Sequence, residues 1–124
     1  MEKTKQEIMR SYVNSAIRFA DFYNNYAKYF AKNPQKKLQG EKFYGKKIFE
    51  IFKQVDMLSE TEKNFFYNSL VEMQKECQKE EVNRLLTLQF SFAKYYKSKY
   101  EAIETVFRLK KLYKQKQNEK ENTL

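Results

Sequence analysis

The sequence predicts an all-α protein, a small antiparallel bundle of about four helices. Two Gly and one Pro in 124 residues leave few positions at which helices would be interrupted. Eleven Phe and ten Tyr recur at helical spacing and supply a core, since each buried Phe contributes about 1.5–3 kcal/mol. This aromatic content outweighs the mean hydropathy of −0.91, which alone would favour disorder. We predict one domain over residues 1–113 and a disordered basic and polar tail over residues 114–124.

The first predicted helix covers residues 4–31. Its apolar residues follow one another at steps of three or four, as one face of a helix requires. They are Ile8, Tyr12, Ala16, Phe19, Tyr23, Tyr26 and Phe30. The residue before a proline is pushed out of the helical region, so Asn33-Pro34 is predicted to end this helix. Residues 32–40 are predicted to form the one clear loop.

A second helix is predicted over residues 41–55 and a third from about Glu60. The second has Ile48, Phe52 and Val55 on its inner face. The third begins after the sequence Ser59-Glu-Thr-Glu62, which is a capping box. Its inward residues, Phe66, Leu70, Met73 and Cys77, are again spaced by three or four.

The apolar track of the third helix stops at Glu80 and Glu81 and resumes in a new register. The resumed track consists of Val82, Leu85, Leu86, Phe92, Tyr96, Tyr100, Ile103 and Phe107. One continuous helix would be far longer than the ~11-residue average of globular proteins. We therefore predict a bend at residues 78–81 and a fourth helix after it.

The composition disfavours catalysis. The chain has no His, the side chain on which most acid–base, metal and phosphotransfer sites depend. Cys77 is the only cysteine, which excludes an intramolecular disulfide, and its inward position predicts a buried structural thiol. Glu72, Glu76 and Glu80 share a helical face, but Lys75 and Lys79 follow at ion-pair spacing, so we expect no metal site. We predict no enzyme activity and no cofactor.

The chain is expected to act in the cytoplasm. The first residues carry charges and no apolar stretch of the kind found in secretory signals. No apolar run approaches the ~20 residues that a membrane span needs. The wide apolar stripes favour burial against other helices over attachment to a membrane surface.

The net charge of +9 points to partners instead of to fold. Codons rich in A and T encode Lys, Asn, Phe and Tyr, so genome composition alone could supply part of this charge. The distribution is uneven, however. Residues 59–81 sum to −3, whereas residues 1–40 sum to +5 and residues 82–124 to +6. Two kinds of partner follow from this pattern.

One candidate partner is the backbone of DNA or RNA, because ammonium groups neutralise phosphates and exposed tyrosines stack on bases. The predicted contacts on the fourth helix are Lys94, Lys97, Lys99, Arg108, Lys110, Lys111, Lys114 and Lys116. A second patch joins Lys36, Lys37, Lys46 and Lys47, with Lys42 beside them. Lysine predominates over arginine, the usual base-reading residue, so such binding would be indifferent to sequence.

The other candidate partner is a protein or nucleoprotein complex, or a second copy of this chain. An acidic helix and a basic helix can steer association. The interface candidates are Tyr95, Glu72, Glu76 and Glu80. We predict a non-enzymatic accessory subunit or inhibitor that binds a macromolecular partner. The alternative is direct, sequence-indifferent nucleic-acid binding by the fourth helix, as in a small subunit that lines a nucleic-acid groove.

Overall fold

A computed structural model describes residues 4–122 of the chain and confirms the all-α bundle. Its four helices are α1 (Lys5–Tyr29), α2 (Pro34–Asp56), α3 (Glu60–Leu86) and α4 (Phe90–Asn122). None of the residues from 4 to 122 belongs to a β-strand. α1 and α2 form one antiparallel hairpin, and α3 and α4 form a second.

The predicted loop over residues 32–40 is wrong, because most of it is the start of α2. Asn33 is the N-cap of that helix, and its side-chain oxygen accepts a hydrogen bond from the Lys36 amide at 3.3 Å. Pro34 occupies the first helical position, where the missing N–H costs nothing. The Asn-Pro pair that was predicted to end α1 therefore begins α2, and α1 itself ends four residues earlier, at Tyr29.

The capping box at the start of α3 is confirmed. The Ser59 hydroxyl accepts from the Glu62 amide at 3.3 Å and donates to the Glu62 carboxylate at 2.9 Å. Both Ser59 and Thr4, which caps α1 in the same way, have extended backbone angles. The side chains thus satisfy amides that have no partner within the first turn.

The bend predicted at residues 78–81 is wrong, because α3 continues through them to Leu86. The ion pair from Arg84 Nε to Glu80 Oε2, 3.4 Å long, spans one helical turn just beyond the predicted bend. The chain turns at residues 87–89 instead, where Leu88 has a positive φ of 59°. Beyond Glu80 the apolar track changes register, and several of its side chains, among them Leu86 and Phe92, are exposed.

α4 is longer than expected and runs to Asn122, so residues 114–122 of the predicted disordered tail are helical. Residues 123 and 124 lie outside the described part of the chain. Tyr113 packs on the rings of Phe49 and Phe52 at centroid distances of 5.4 and 5.5 Å. Further contacts extend the helix, because Gln117 donates to the Tyr113 hydroxyl at 2.8 Å and Lys116 lies over the Phe49 ring.

The core lies where all four helices meet. Its fully buried members are predominantly residues with the predicted helical spacing. The largest are Phe52, Phe66, Ile48, Leu70, Ile103, Val55 and Val106. A buried hydrogen bond from the Thr105 hydroxyl to Asn24 Oδ1, 2.8 Å long, fixes α4 against α1. Two parts of α4 remain accessible to solvent. They are its first turns, which lie beside α3, and its last turns, which lie beside α2.

Candidate interaction surfaces

The end of the α3–α4 hairpin carries the densest group of exposed apolar side chains in the described structure. We call this group the hairpin end. Its six members are between 45% and 77% exposed. They are Val82, Leu85, Leu86, Leu88, Phe90 and Phe92. Four of the six, Val82, Leu85, Leu86 and Phe92, have the spacing from which a resumed core track was predicted, and the structure exposes them instead. Apolar spacing alone does not tell whether a neighbouring helix is present.

Leu88 occupies a position that the backbone would normally give to glycine. The Leu88 amide donates to the Leu85 carbonyl at 3.1 Å, and the Gln89 amide donates to the Arg84 carbonyl at 2.7 Å. These two bonds define the Schellman motif that ends a helix. Its residue with positive φ is usually glycine, because a side chain in this region costs about 1–2 kcal/mol. Leu88 has such a side chain, and it is 74% exposed.

Cationic groups lie beside the hairpin end. A concavity of about 450 Å³ has Leu85, Phe90 and Ala93 among its apolar lining residues, with Lys94 and Lys97 also lining it. Lys28 and Glu101 complete this side as an ion pair of 3.4 Å. The Arg84 guanidinium packs over the Phe92 ring at 5.1 Å. The predicted site residues Lys94 and Lys97 are thus brought next to apolar surface.

A second surface is the groove between α2 and α4, which we call the basic groove. Its volume is about 360 Å³. Leu38, Gly45, Phe49 and Leu109 supply its apolar lining, and Lys42, Lys46 and Lys116 supply its cations. Sequence analysis assigned Lys46 and Lys116 to separate patches, and the structure brings them into one site. Tyr23 and Glu41 complete the lining.

The remaining basic candidates of α4 do not form a continuous face. Lys110 lies 3.5 Å from the centroid of the Tyr67 ring, and its burial beside Lys114 lowers the pKa of its ammonium group. Arg108 lines a cleft that also contains the carboxylates of Glu101 and Glu104. Both acids lie between Lys99 and Lys110 along α4, so they separate the lysines of its first turns from those of its last turns. Lys99 lines a separate concavity with Arg18 and Asp21. Lys111 and Lys114 are exposed to solvent.

The basic candidates of α2 share one helix, because residues 34–40 are helical. Lys36 lies 5.3 Å from the Phe30 ring centroid, and Lys47 lies 5.7 Å from that of Phe43. Lys37 pairs with Glu41 at 3.9 Å. Lys42, Lys46 and Lys53 are exposed on α2, and none of the three forms an ion pair with another residue in the range 4–120.

The acidic candidates of α3 lie along the helix as predicted. Glu72 pairs with Lys75 at 3.7 Å and Glu80 with Arg84 at 3.4 Å, while Glu76 is exposed. Within residues 4–122, no three Asp, Glu or Cys side chains converge to hold a metal ion. Tyr95 is exposed and packs edge-on against Tyr96, with ring centroids 5.2 Å apart.

Cys77 is buried on the inner face of α3, as its spacing predicts. Desolvation by burial raises the pKa of its thiol, and the Lys99 ammonium opposes this effect. A thiol with a raised pKa has a smaller fraction of the reactive thiolate at neutral pH. This position and this shift indicate a structural cysteine.

Fold and surfaces together define a four-helix protein that exposes one apolar hairpin end and one basic groove. No protein-family model, curated protein or solved structure matches the chain. Within the described residues, no helix is both long enough and apolar enough to cross a bilayer.

Proposed function

We propose that this protein is a non-enzymatic accessory subunit or inhibitor that binds a protein partner through the hairpin end. Leu88 carries the proposal. A glycine at its position would relieve the backbone, yet an exposed leucine is present. A side chain that costs stability and contributes nothing to the core is best explained by a contact made outside the chain.

The neighbours of Leu88 add to the same surface. Leu86, Phe90 and Phe92 are all more than half exposed, and they lie within four residues of Leu88. Contiguous apolar patches of this kind are uncommon on monomeric proteins and mark interaction sites. When a partner removes half of the surface of one such side chain from water, the contact contributes on the order of 1 kcal/mol to binding.

The chemistry of the surface defines the partner. The exposed apolar side chains of the hairpin end fit a concave apolar site on a partner. Lys94 and Lys97 lie beside it and favour acidic groups at the rim of that site. We therefore propose a protein with an apolar cavity flanked by carboxylates. The proposed setting is the cytoplasm.

Crosslinking followed by affinity measurement tests this proposal. A photoreactive amino acid replaces Leu86 in the full chain. A matched variant carries it at Met57, which is 82% exposed and lies three residues before the start of α3, at the end remote from Leu86. The proposal predicts that one protein crosslinks at position 86 and not at position 57. That protein, purified, is then titrated with the unmodified chain and with Leu88→Gly.

Leu88→Gly separates binding from folding. It should raise the melting temperature, because glycine adopts positive φ without strain, and weaken partner binding at least tenfold. The control Met57→Ser should leave affinity unchanged. Equal crosslinking at both positions, or unchanged affinity of Leu88→Gly, contradicts the proposal. If position 86 crosslinks only to a second copy of this chain, and light scattering shows that the chain forms a dimer, the hairpin end is a self-association surface instead.

A further inference from the structure

We propose that the basic groove between α2 and α4 binds single-stranded nucleic acid through its phosphate backbone. This site is separate from the hairpin end. Lys116 and Phe90 are 26 residues apart on α4, a distance of about 39 Å along the helix. The two surfaces can thus be altered independently of each other.

The arrangement of the lysines supports a linear polyanion as the ligand. Lys42, Lys46 and Lys53 are separated by four and seven residues, so they lie on one face of α2. They extend over about 16 Å of helix, long enough to meet several successive phosphates of one strand. Lys116 of α4 adds a fourth cation across the groove. A small anion would need only one or two of these groups.

Cations outnumber carboxylates among the residues that line the groove. Glu41 is the one carboxylate among its lining residues, and the Lys37 ammonium pairs with it at 3.9 Å. Glu50 is the only other acidic residue between Lys42 and Lys53. Along α4, by contrast, Glu101 and Glu104 interrupt the predicted basic face. The groove is therefore the stronger candidate for phosphate contacts.

The apolar lining favours a single strand over a duplex. Leu38, which is 51% exposed, lies beside the lysines and offers a surface on which an unpaired base can rest. Bases in a duplex are stacked and paired, so they cannot enter such a groove. Contacts from lysine ammonium groups to phosphates and from apolar side chains to bases carry no sequence preference. Binding is consequently independent of base identity.

Fluorescence anisotropy with a labelled 15-nucleotide oligothymidylate tests the proposal on the full chain. Four phosphate contacts predict a slope of about −3 for log affinity against log salt concentration, or a loss of about 50-fold between ~50 and ~200 mM salt. The triple variant Lys42→Ala/Lys46→Ala/Lys116→Ala retains only Lys53 of the four. Its slope should fall to about −0.7.

The matched control is Lys5→Ala/Lys75→Ala/Lys79→Ala, which removes the same amount of charge from exposed positions outside the groove. It should keep the slope and most of the affinity, and circular dichroism shows that both variants are folded. Equal losses in the two triple variants overturn the proposed site, because net charge alone would then explain binding. So does tighter binding to a duplex of the same length. Binding to phosphatidylserine vesicles without binding to the oligonucleotide would identify a membrane surface as the ligand and overturn the proposal.

Discussion

Gly40 offers the sharpest test of how the α1–α2 hairpin is packed. Gly40 is buried within α2. A Cβ added there would overlap the Tyr26 ring, including its Cγ atom. Because Cγ is the base of the ring, the whole Tyr26 side chain would have to move. Moving Tyr26 weakens its ring contacts with Phe30 at 4.6 Å and Tyr44 at 6.1 Å.

The energetic terms of Gly40→Ala have opposite signs. Alanine gains about 1 kcal/mol of helix propensity over glycine. The two ring contacts are each worth about 0.5–1.5 kcal/mol, and overpacking adds about 1–3 kcal/mol. The steric terms exceed the propensity, so we expect a net destabilisation of about 2 kcal/mol. For a chain of this size, that corresponds to a fall of about 8 °C in Tm.

Urea and thermal unfolding followed by circular dichroism measure this effect. Gly45→Ala is the matched comparison, because its Cβ would meet the Tyr23 ring at an ordinary 3.8 Å. It should stabilise the protein by about 0.5–1 kcal/mol. In a Tyr26→Ala background, Gly40→Ala should also become stabilising. The packing argument is refuted if Gly40→Ala stabilises the unmodified chain or if its cost persists without the Tyr26 ring.

Three other predictions concern α3. Ser59→Ala removes the hydroxyl of the capping box and should lower the free energy of unfolding by about 1 kcal/mol in urea titrations; an unchanged midpoint would contradict the role of this cap. Burial raises the pKa of Tyr67 to about 12, so the unfolded state loses its proton first and stability should fall between pH 10 and 12. Tyr67→Phe should lose less stability over this pH range, as measured by urea midpoints. An identical pH dependence in the two proteins would contradict the raised pKa of Tyr67. Cys77 should react slowly with a maleimide in buffer and rapidly in urea, whereas fast labelling of the folded chain would show that the thiol is accessible.

Local signals in the sequence determine where most helices begin and which residues enter the core. The Ser59 hydroxyl satisfies the Glu62 amide and is itself held by the Glu62 carboxylate, so the signal for the start of α3 lies within four consecutive residues. The spacing of Phe52, Phe66 and Leu70 likewise places them on inner faces wherever the helices are packed. Asn33-Pro34 shows the limit of such signals, because the same dipeptide is compatible with the end of one helix and the start of the next.

The hairpin end and the basic groove depend on tertiary structure. Leu86 and Phe92 have the spacing of core residues, yet they are exposed, because no neighbouring helix covers them. Lys46 and Lys116 are 70 residues apart, and only the packing of α2 beside α4 places them in one groove. Periodicity and capping are properties of a few consecutive residues, so an all-α bundle and its inner faces can be predicted from the chain alone. Which apolar face lacks a neighbour, and which charges meet, depends on helix lengths and packing, so these features follow from the assembled bundle.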